Sequence, residues 1–243
     1  MTSGLDRGPV LASSAFAVVP AFNAGQAVLE VAEGAAGQLA GDRVLIVDDG
    51  STDDAPRRLR EKGYRVLVHP HNMGKGAALQ TGFRAALSEG ASGVITLDAD
   101  GQHDPACAPD FLAAWHERGA PLIIGRRDFS LMPLSRRIAN TLGTRTFSWA
   151  VGRHIEDNQS GYRLIAKPLL PHLLGSREAG FEFEVEMITD AIRAGLVIDW
   201  VPIPTIYEDA GSHISPISHV TNFLRVARSA RRSVGTPLDL EQD

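Results

Sequence analysis

The sequence predicts a single α/β domain in which helices flank a mostly parallel central sheet. Short apolar, β-branched runs alternate with helical segments of about 10–15 residues, a pattern typical of parallel sheets. The chain has 243 residues and is 44% hydrophobic, enough to bury a sizeable core. The predicted strands are 16–19, 44–47, 64–68, 93–97 and 121–124, and the predicted helices are 24–39, 53–62, 74–88, 105–118 and 133–151. We expect the domain to span residues 15–233, between a flexible N-terminus at 1–14 and a flexible tail at 234–243.

The first strand, 16–19, runs into the turn Pro20-Ala-Phe22-Asn23. Asparagine bonds readily to neighbouring backbone and tolerates left-handed conformations, so we expect Asn23 to hold this loop. Phe22 either stacks on a nucleotide base or packs into the core, and the sequence leaves both alternatives open.

The second strand, 44–47, delivers two adjacent acids, Asp48 and Asp49, into a turn that Gly50 allows. Residues 51–53 can cap the helix that follows. Two neighbouring carboxylates repel each other unless hydrogen-bond donors satisfy them. The N–H groups of a base and the hydroxyls of a ribose are suitable donors, so this turn is a candidate nucleotide site.

The third strand, 64–68, is followed by Pro70-His-Asn72-Met-Gly74-Lys75-Gly76 at the start of a predicted helix. The glycines allow close approach of a nucleotide, and the positive end of the helix would add to the charge of Lys75. The spacing is not that of a P-loop. The alternative is a helix entry whose glycines serve packing alone.

The fourth strand, 93–97, ends in Asp98-Ala-Asp100-Gly-Gln102. Open α/β sheets bind their ligands at the carboxyl ends of strands. Carboxylate and amide oxygens are hard ligands suited to Mg²⁺ or Mn²⁺, which usually keep positions for substrate phosphates. This loop therefore predicts a metal-held nucleotide, whereas the alternative makes these acids turn and capping residues. We expect Asp104, before Pro105, to be only a cap.

Together these segments resemble the family 2 glycosyltransferases of the GT-A fold, most nearly the subgroup that includes dolichyl- and polyprenyl-phosphate mannose or glucose synthases. The likeness covers roughly residues 15–226 and is carried by V-P-A-F-N at 19–23, V-D-D-G-S-T-D at 47–53, H-N-M-G-K-G-A-A-L at 71–79 and L-D-A-D-G-Q-H-D-P at 97–105. It continues through G-R-R at 125–127, P-L-S-R-R at 133–137, D-N-Q-S-G-Y-R at 157–163 and G-F-E-F-E at 180–184. Each motif alone is weak, but their ordered set is specific.

The resemblance implies a donor site, a metal site and catalytic residues. The donor site would comprise Pro20, Phe22, Asn23, Asp48, Asp49, Asn72, Lys75, Gly76, Asp98 and Ala99. The metal ligands would be Asp98, Asp100 and Gln102, and the catalytic residues would be Asp100, Arg127, Arg136 and Glu184.

Residues 126–153 contain six arginines and one acid, Asp128, although the net charge of the chain is −5. The acidic balance argues against general nucleic-acid binding. The basic segment either meets an anionic head group or lipid surface, or is a solvated helix with its apolar side in the core. In the resembling synthases, arginines at the positions of Arg127 and Arg136 grip the phosphate of the lipid acceptor, which suits a guanidinium fork.

Glu182, Glu184 and Glu186 alternate with apolar residues, which predicts a row of acids facing one way ahead of a helix. If the acceptor is a hydroxyl, Glu182 or Glu184 would act as general base. A phosphate acceptor is already anionic and needs no base. Alternatively, these acids orient the side chain of Arg127 or Arg163. The loop around Arg163 is expected to be mainly structural, and Arg163 itself is a candidate for charge stabilisation.

We therefore expect a metal-dependent, inverting transfer of a hexose from a GDP- or UDP-linked sugar to a polyprenyl or dolichyl phosphate. Two alternatives stay open. One is a family 2 enzyme with a hydroxyl acceptor such as a glycan, a lipid or a small metabolite. The other is a nucleotidyltransferase or a nucleotide-binding protein without turnover.

The sequence contains no run of about 18 apolar residues and no secretory signal pattern, and Cys107 is its single cysteine. We expect a cytoplasmic protein, with peripheral contact at the cytoplasmic face of a membrane left open. The segment 217–232 predicts either a surface-lying helix or a core-packed closing helix. The segment 208–215 lacks the arginine and lysine that the resembling synthases carry there, so the resemblance does not imply a contact of this loop with the donor diphosphate.

Overall fold

The computed structural model describes residues 14–176, 178, 180, 182–206 and 227–238. Within these ranges one sheet of seven strands forms the centre of the fold. The strands are β1 Ala15–Ala21, β2 Val44–Asp48, β3 Arg65–Val68, β4 Gly93–Thr96, β5 Leu122–Arg127, β6 Arg163–Ala166 and β7 Ile198–Ile203. The helices are α1 Ala27–Gln38, α2 Ala55–Glu61, α3 Lys75–Ser88, α4 Ala108–Arg118, α5 Leu134–Val151, α6 Leu170–Leu173 and α7 Glu182–Arg193.

The strands lie in the order β3-β2-β1-β4-β6-β5-β7. The pairs β1–β2, β1–β4, β2–β3 and β5–β7 are parallel, and only β6 runs antiparallel to its neighbours β4 and β5. The predicted fold class, a mostly parallel sheet flanked by helices, is confirmed. Six strands consequently end at the same edge, where the predicted site residues lie.

Two strands, β6 and β7, were not predicted. β6 is only four residues long and starts at Arg163, whose charge argues against a buried strand in a sequence pattern. β7 contains Asp199 and Pro202, which are both depleted in strands. It tolerates the proline because it lies at the edge of the sheet, where a missing N–H breaks no ladder bond.

The core has two layers, one on each face of the sheet. On one face, α1 and α4 contribute Leu29, Phe111 and Trp115 to a buried cluster. On the other face, α3, α5 and α7 contribute residues such as Phe83 and Phe147. Each helix buries one stripe of apolar residues against the sheet, which is the expected arrangement for a doubly covered parallel sheet.

The C-terminal part of the chain is described only at 227–238, where 227–233 are helical. Ala230 is buried among residues of α5 and α7. This agrees with the second of the two alternatives for segment 217–232, a closing helix packed against the core. The predicted tail is attached to α7 as far as Leu238, whose backbone N–H donates to the carbonyl of Arg193 at 3.1 Å. The segment 208–215 and residues 217–226 of the predicted helix lie outside the described residues. Among the helices that the structure describes, none is long and apolar enough to cross a bilayer.

Candidate active site

The loops after β1 and β2 are locked together by Asn23. Its backbone has a positive φ of 49°, its Oδ1 accepts from the N–H of Thr52 at 2.8 Å, and its own N–H donates to Ser51 Oγ at 2.9 Å. Gly50 has a φ of +78°, and a Cβ at this position would overlap the backbone of His71 and Asn72. Three loops at the carboxyl edge of the sheet therefore hold one another in place, as the expected role of Asn23 requires.

Phe22 is 46% exposed at this edge, so the core alternative for this side chain is wrong. Pro20, near the end of β1, and Ala99, in the loop after β4, are buried, while Asn72 is exposed. An exposed aromatic side chain among polar loops is available to stack on a base.

The paired acids after β2 find their donors within the protein. Asp49 is 3% exposed, and its two carboxylate oxygens accept from the N–H groups of Met73 at 2.9 Å and Gly74 at 2.7 Å. His69 Nδ1 lies 2.7 Å from the same carboxylate. Asp48, equally buried, accepts from the N–H of Ser51 at 3.1 Å. Asp49 thus fixes the entry to α3, and contact of either acid with a nucleotide stays a prediction.

Lys75, at the start of α3, lies between two carboxylates from distant parts of the chain. Its Nζ is 2.5 Å from Asp98 Oδ1 and 2.8 Å from Glu184 Oε1. Gly161 allows this cluster to close, because a Cβ there would lie 2.8 Å from oxygens of both acids. We refer to Lys75, Asp98 and Glu184 as the charge cluster. Gly76, the next residue, is buried in α3.

Burial opposes ionisation within this cluster, but attraction between opposite charges outweighs it. Burial alone would raise the pKa of Asp98, yet Lys75, His103 and Arg127 lower it to about 2. Burial would lower the pKa of Lys75, but Asp98 and Glu184 raise it above its ordinary value. The pKa of His103 is lowered, mainly by burial, and its Nδ1 accepts from the N–H of Asp98 at 3.0 Å. A neutral imidazole therefore supports the loop that carries Asp98.

Asp98 and Asp100 face different surroundings although they are two residues apart. Asp100 is exposed, and its Oδ1 accepts from the N–H of Gln102 at 3.0 Å. Among the described residues, no group of three or more His, Cys, Asp or Glu side chains could hold a metal ion by itself. Mg²⁺ and Mn²⁺ commonly take one or two protein carboxylates and complete their shell with substrate phosphates and water. An exposed carboxylate on a loop that also offers an amide oxygen fits such a partly open site.

Arg127, the last residue of β5, is held by a buried acid. Its Nε and Nη2 donate to the two carboxylate oxygens of Asp157 at 2.8 and 3.0 Å. Asp157 is fully buried and also accepts from the N–H groups of Gln159 and Ser160. Arg136, in the first turns of α5, is exposed. The guanidinium of Arg127 is thus oriented by Asp157.

The prediction that Glu182, Glu184 and Glu186 face one way is wrong. All three lie in α7, where successive residues are rotated by about 100°, so that residues two apart diverge and residues four apart align. Glu184 points into the charge cluster at 5% exposure, whereas Glu182 and Glu186 line a groove on another side of the helix.

Arg163 has the structural role expected for its loop, and a part in charge stabilisation stays a prediction. It is fully buried, and it donates to the backbone carbonyls of Ser160, Asn158 and Glu184. It thereby joins the 157–161 loop to the start of α7. In the same loop, Asn158 Nδ2 and Ser160 Oγ are buried without a hydrogen-bond partner in the part of the chain that the structure describes.

Sequence reasoning assigned no role to three residues that build this site. Asp157 and Gly161 lie in a motif that carried the resemblance, but their partners are far away in sequence. His103 follows the Asp98–Gln102 loop directly, and its position beside two acids is the signal that could have identified it. Asp104 caps the following turn by accepting from the N–H of Ala106, which confirms its predicted role.

The sequence of this chain is similar to those of known glycosyltransferases. Residues 16–172 match the family described as Glycosyl transferase family 2. The UDP-N-acetylglucosamine–dolichyl-phosphate N-acetylglucosaminyltransferase of Methanococcus voltae is 28% identical, over 80% of this chain and 86% of its own. The undecaprenyl-phosphate mannosyltransferase of Micrococcus luteus is 31% identical, over 69% and 73%.

Among solved structures, glucosyl-3-phosphoglycerate synthase from Mycobacterium tuberculosis, in complex with Mn²⁺, UDP and phosphoglyceric acid, has a similar fold. The TM-score is 0.72 at 21% identity, covering 98% of this chain and 86% of that one. This likeness confirms the GT-A fold. Another structure of the same synthase contains Mg²⁺ and UDP.

Proposed function

The chain belongs to glycosyl transferase family 2, and from this premise we propose that it transfers a hexose from a GDP- or UDP-linked sugar to a polyprenyl or dolichyl phosphate. The transfer would invert the anomeric carbon and use Mg²⁺ or Mn²⁺. Relatives whose names specify dolichyl phosphate and undecaprenyl phosphate as acceptors support this choice. Membership of the family sets aside the nucleotidyltransferase alternative.

The donor would bind across the loops that Asn23 and Gly50 hold together. Phe22 offers an exposed ring for the base, and Asp48 ends the neighbouring strand β2. The fixed geometry of these loops supports the proposal, because a preorganised site loses little entropy when the nucleotide binds.

The diphosphate would lie at the loop after β4. Asp100, with Gln102 and Asp98 on the same loop, would hold a Mg²⁺ or Mn²⁺ ion, which when bound neutralises charge on the diphosphate leaving group. The chain itself keeps Asp98 ionised through Lys75, so the loop stays anionic before the donor arrives.

The acceptor phosphate would be gripped by Arg127 and Arg136. A phosphate oxygen then attacks the anomeric carbon, the new bond to that carbon forms as the bond to the diphosphate breaks, and the nucleoside diphosphate leaves. Arg127 stands at the carboxyl end of β5 and its charge reaches Asp98. Burial raises the pKa of Asp98, Lys75 lowers it most strongly, and Arg127 lowers it further. The two substrates would therefore meet at one edge of the sheet.

The burial of Glu184 and its contact with Lys75 favour a phosphate acceptor over a hydroxyl acceptor. A general base must reach the proton that it removes. Glu184 is 5% exposed, and its Oε1 is occupied by the ammonium of Lys75 at 2.8 Å. A phosphate oxygen is anionic near neutral pH and needs no base.

The test is product analysis with labelled GDP-mannose, UDP-glucose and UDP-N-acetylglucosamine, each supplied with Mn²⁺ and undecaprenyl phosphate. We expect label in the organic phase that mild acid releases. An acid-stable or water-soluble product would support the hydroxyl acceptor instead, and no transfer from any donor would refute the proposal.

The metal assignment is tested with Asp100→Ala. We expect at least a hundredfold loss of turnover, with the affinity for Mn²⁺ in the presence of nucleoside diphosphate lost in parallel. Asp110→Ala is the matched control, since Asp110 is an exposed acid in the first turn of α4. Full activity of Asp100→Ala would defeat the assignment.

A further inference from the structure

One face of α5 carries large apolar side chains that the fold leaves largely exposed, although the Cζ of Arg231 lies 4.2 Å from the ring centroid of Trp149. Leu134, Ile138, Leu142 and Trp149 are 71%, 58%, 65% and 68% exposed. Their spacing of four, four and seven residues places them along one side of the helix. We call these four residues the α5 stripe. The opposite side of the same helix is buried through residues such as Phe147 and Val151.

The α5 stripe differs from the other exposed apolar residues of the described chain. Val68 and Val197, for example, are single side chains in separate parts of the fold. Isolated apolar residues on a surface are common, but a contiguous row on one helix marks an interaction surface. Leu131, 68% exposed in the turn before α5, extends the row toward the carboxyl edge of the sheet.

The charge around the stripe indicates the kind of partner. Arg137 and Arg145 are exposed and follow stripe residues at a spacing of three, which places them beside the stripe on the same surface. The chain as a whole has a net charge of −5. In an acidic protein, exposed arginines beside an apolar row favour contact with an anionic surface through that row.

We propose that the α5 stripe docks on the surface of an anionic lipid bilayer. The apolar side chains would enter the boundary between head groups and acyl chains, and Arg137 and Arg145 would contact lipid phosphates. The consequence for catalysis rests on the proposed function: α5 follows β5, whose last residue is Arg127, so docking would place the acceptor-phosphate site at the membrane surface.

The test is co-sedimentation of the full chain with vesicles of phosphatidylcholine alone or with 30% phosphatidylglycerol. We expect binding to the anionic vesicles at least about tenfold stronger than to the neutral ones, and weakened by 0.5 M salt. The triple variant Leu134→Ser/Ile138→Ser/Leu142→Ser should lose at least about tenfold in partitioning. Arg137→Glu/Arg145→Glu should lose binding to the anionic vesicles selectively.

The matched control is Val68→Ser/Val197→Ser, which removes two exposed apolar side chains elsewhere and should bind as the wild type does. Circular dichroism checks that every variant is folded. Absence of binding by the wild type, or equal binding by the stripe and control variants, would overturn the proposal. So would a dimer that the stripe variant dissociates in light scattering, because the stripe would then cover a second copy. The assay contains no nucleotide sugar and no prenyl phosphate, so a failure of the proposed transfer would not alter its result.

Discussion

Removal of the ammonium from the charge cluster should destabilise the fold far more than removal of a surface lysine. Lys75→Met keeps the length of the side chain but leaves the carboxylates of Asp98 and Glu184 facing each other without a cation. Breaking a buried ion pair by deleting one partner costs about 3–5 kcal/mol. Because Lys75 and Asp98 are 16% and 26% exposed, solvent screens part of the effect, and we expect about 3 kcal/mol.

Urea denaturation measures this loss. A domain of this size has a slope of about 2–3 kcal/mol per M urea, so the midpoint should fall by about 1 M with an unchanged slope. The double variant Lys75→Met/Glu184→Gln should recover at least about 1 kcal/mol, because one of the two uncompensated charges is gone.

Lys62→Met is the matched control. Lys62 pairs with Glu33 at 3.6 Å, and their side chains are 52% and 72% exposed. Such a pair contributes little, and the change should stay within about 0.5 kcal/mol. If Lys75→Met costs no more than Lys62→Met, the charge cluster does not stabilise the fold as argued.

Two further predictions concern the loop that closes the site. Gly161→Ala should lower the free energy of unfolding by about 1–3 kcal/mol, because the new Cβ would lie 2.8 Å from oxygens of Asp98 and Glu184. In the same urea assay, Gly37→Ala, with nothing within 4 Å of its Cβ, should cost nothing, and equal losses would contradict the packing argument. Asp157→Asn should raise the KM for the acceptor phosphate by about tenfold while the KM for the donor stays unchanged, because Arg127 loses its bidentate partner. Steady-state kinetics with each substrate varied in turn decide this, and a parallel change in both constants would point to general damage instead.

The elements that were predicted correctly are those specified by local pattern. The apolar runs at 44–47 and 93–97 became β2 and β4, and the helical segments at 74–88 and 133–151 became α3 and α5 with boundaries shifted by a single residue at most. Turn and capping residues could be predicted because they also depend on local sequence, as the positive φ of Asn23 and the cap at Asp104 show. Each of these features depends on residues within a few positions of one another.

Features that depend on distant partners could not be predicted in this way. The alternation of Glu182, Glu184 and Glu186 with apolar residues predicted an extended segment, but tertiary packing of Phe183 and Met187 imposed a helix. The loop around Arg163 is structural, as expected, but the carbonyls of Ser160, Asn158 and Glu184 that satisfy the buried guanidinium could not be predicted. A charged side chain is assigned to solvent or to a site by default, because a sequence does not reveal the carbonyl groups that will satisfy it in the core.

The loop after β4 carries two aspartates, Asp98 and Asp100, whose surroundings differ because Lys75 lies against Asp98. Asp98 and Asp100 are equivalent in sequence, and both were assigned to the metal. Lys75 and the imidazole of His103, which accepts from the backbone N–H of Asp98, hold Asp98 against the protein, whereas Asp100 is exposed. A metal ion that approached Asp98 would have to compete with the ammonium of Lys75, 2.5 Å away. Among the contacts within the described residues, Asp100 has no such ammonium beside it. The negative charge of Asp98 is therefore largely used to fix Lys75 and Glu184, and the metal requirement of the proposed reaction should depend mainly on Asp100.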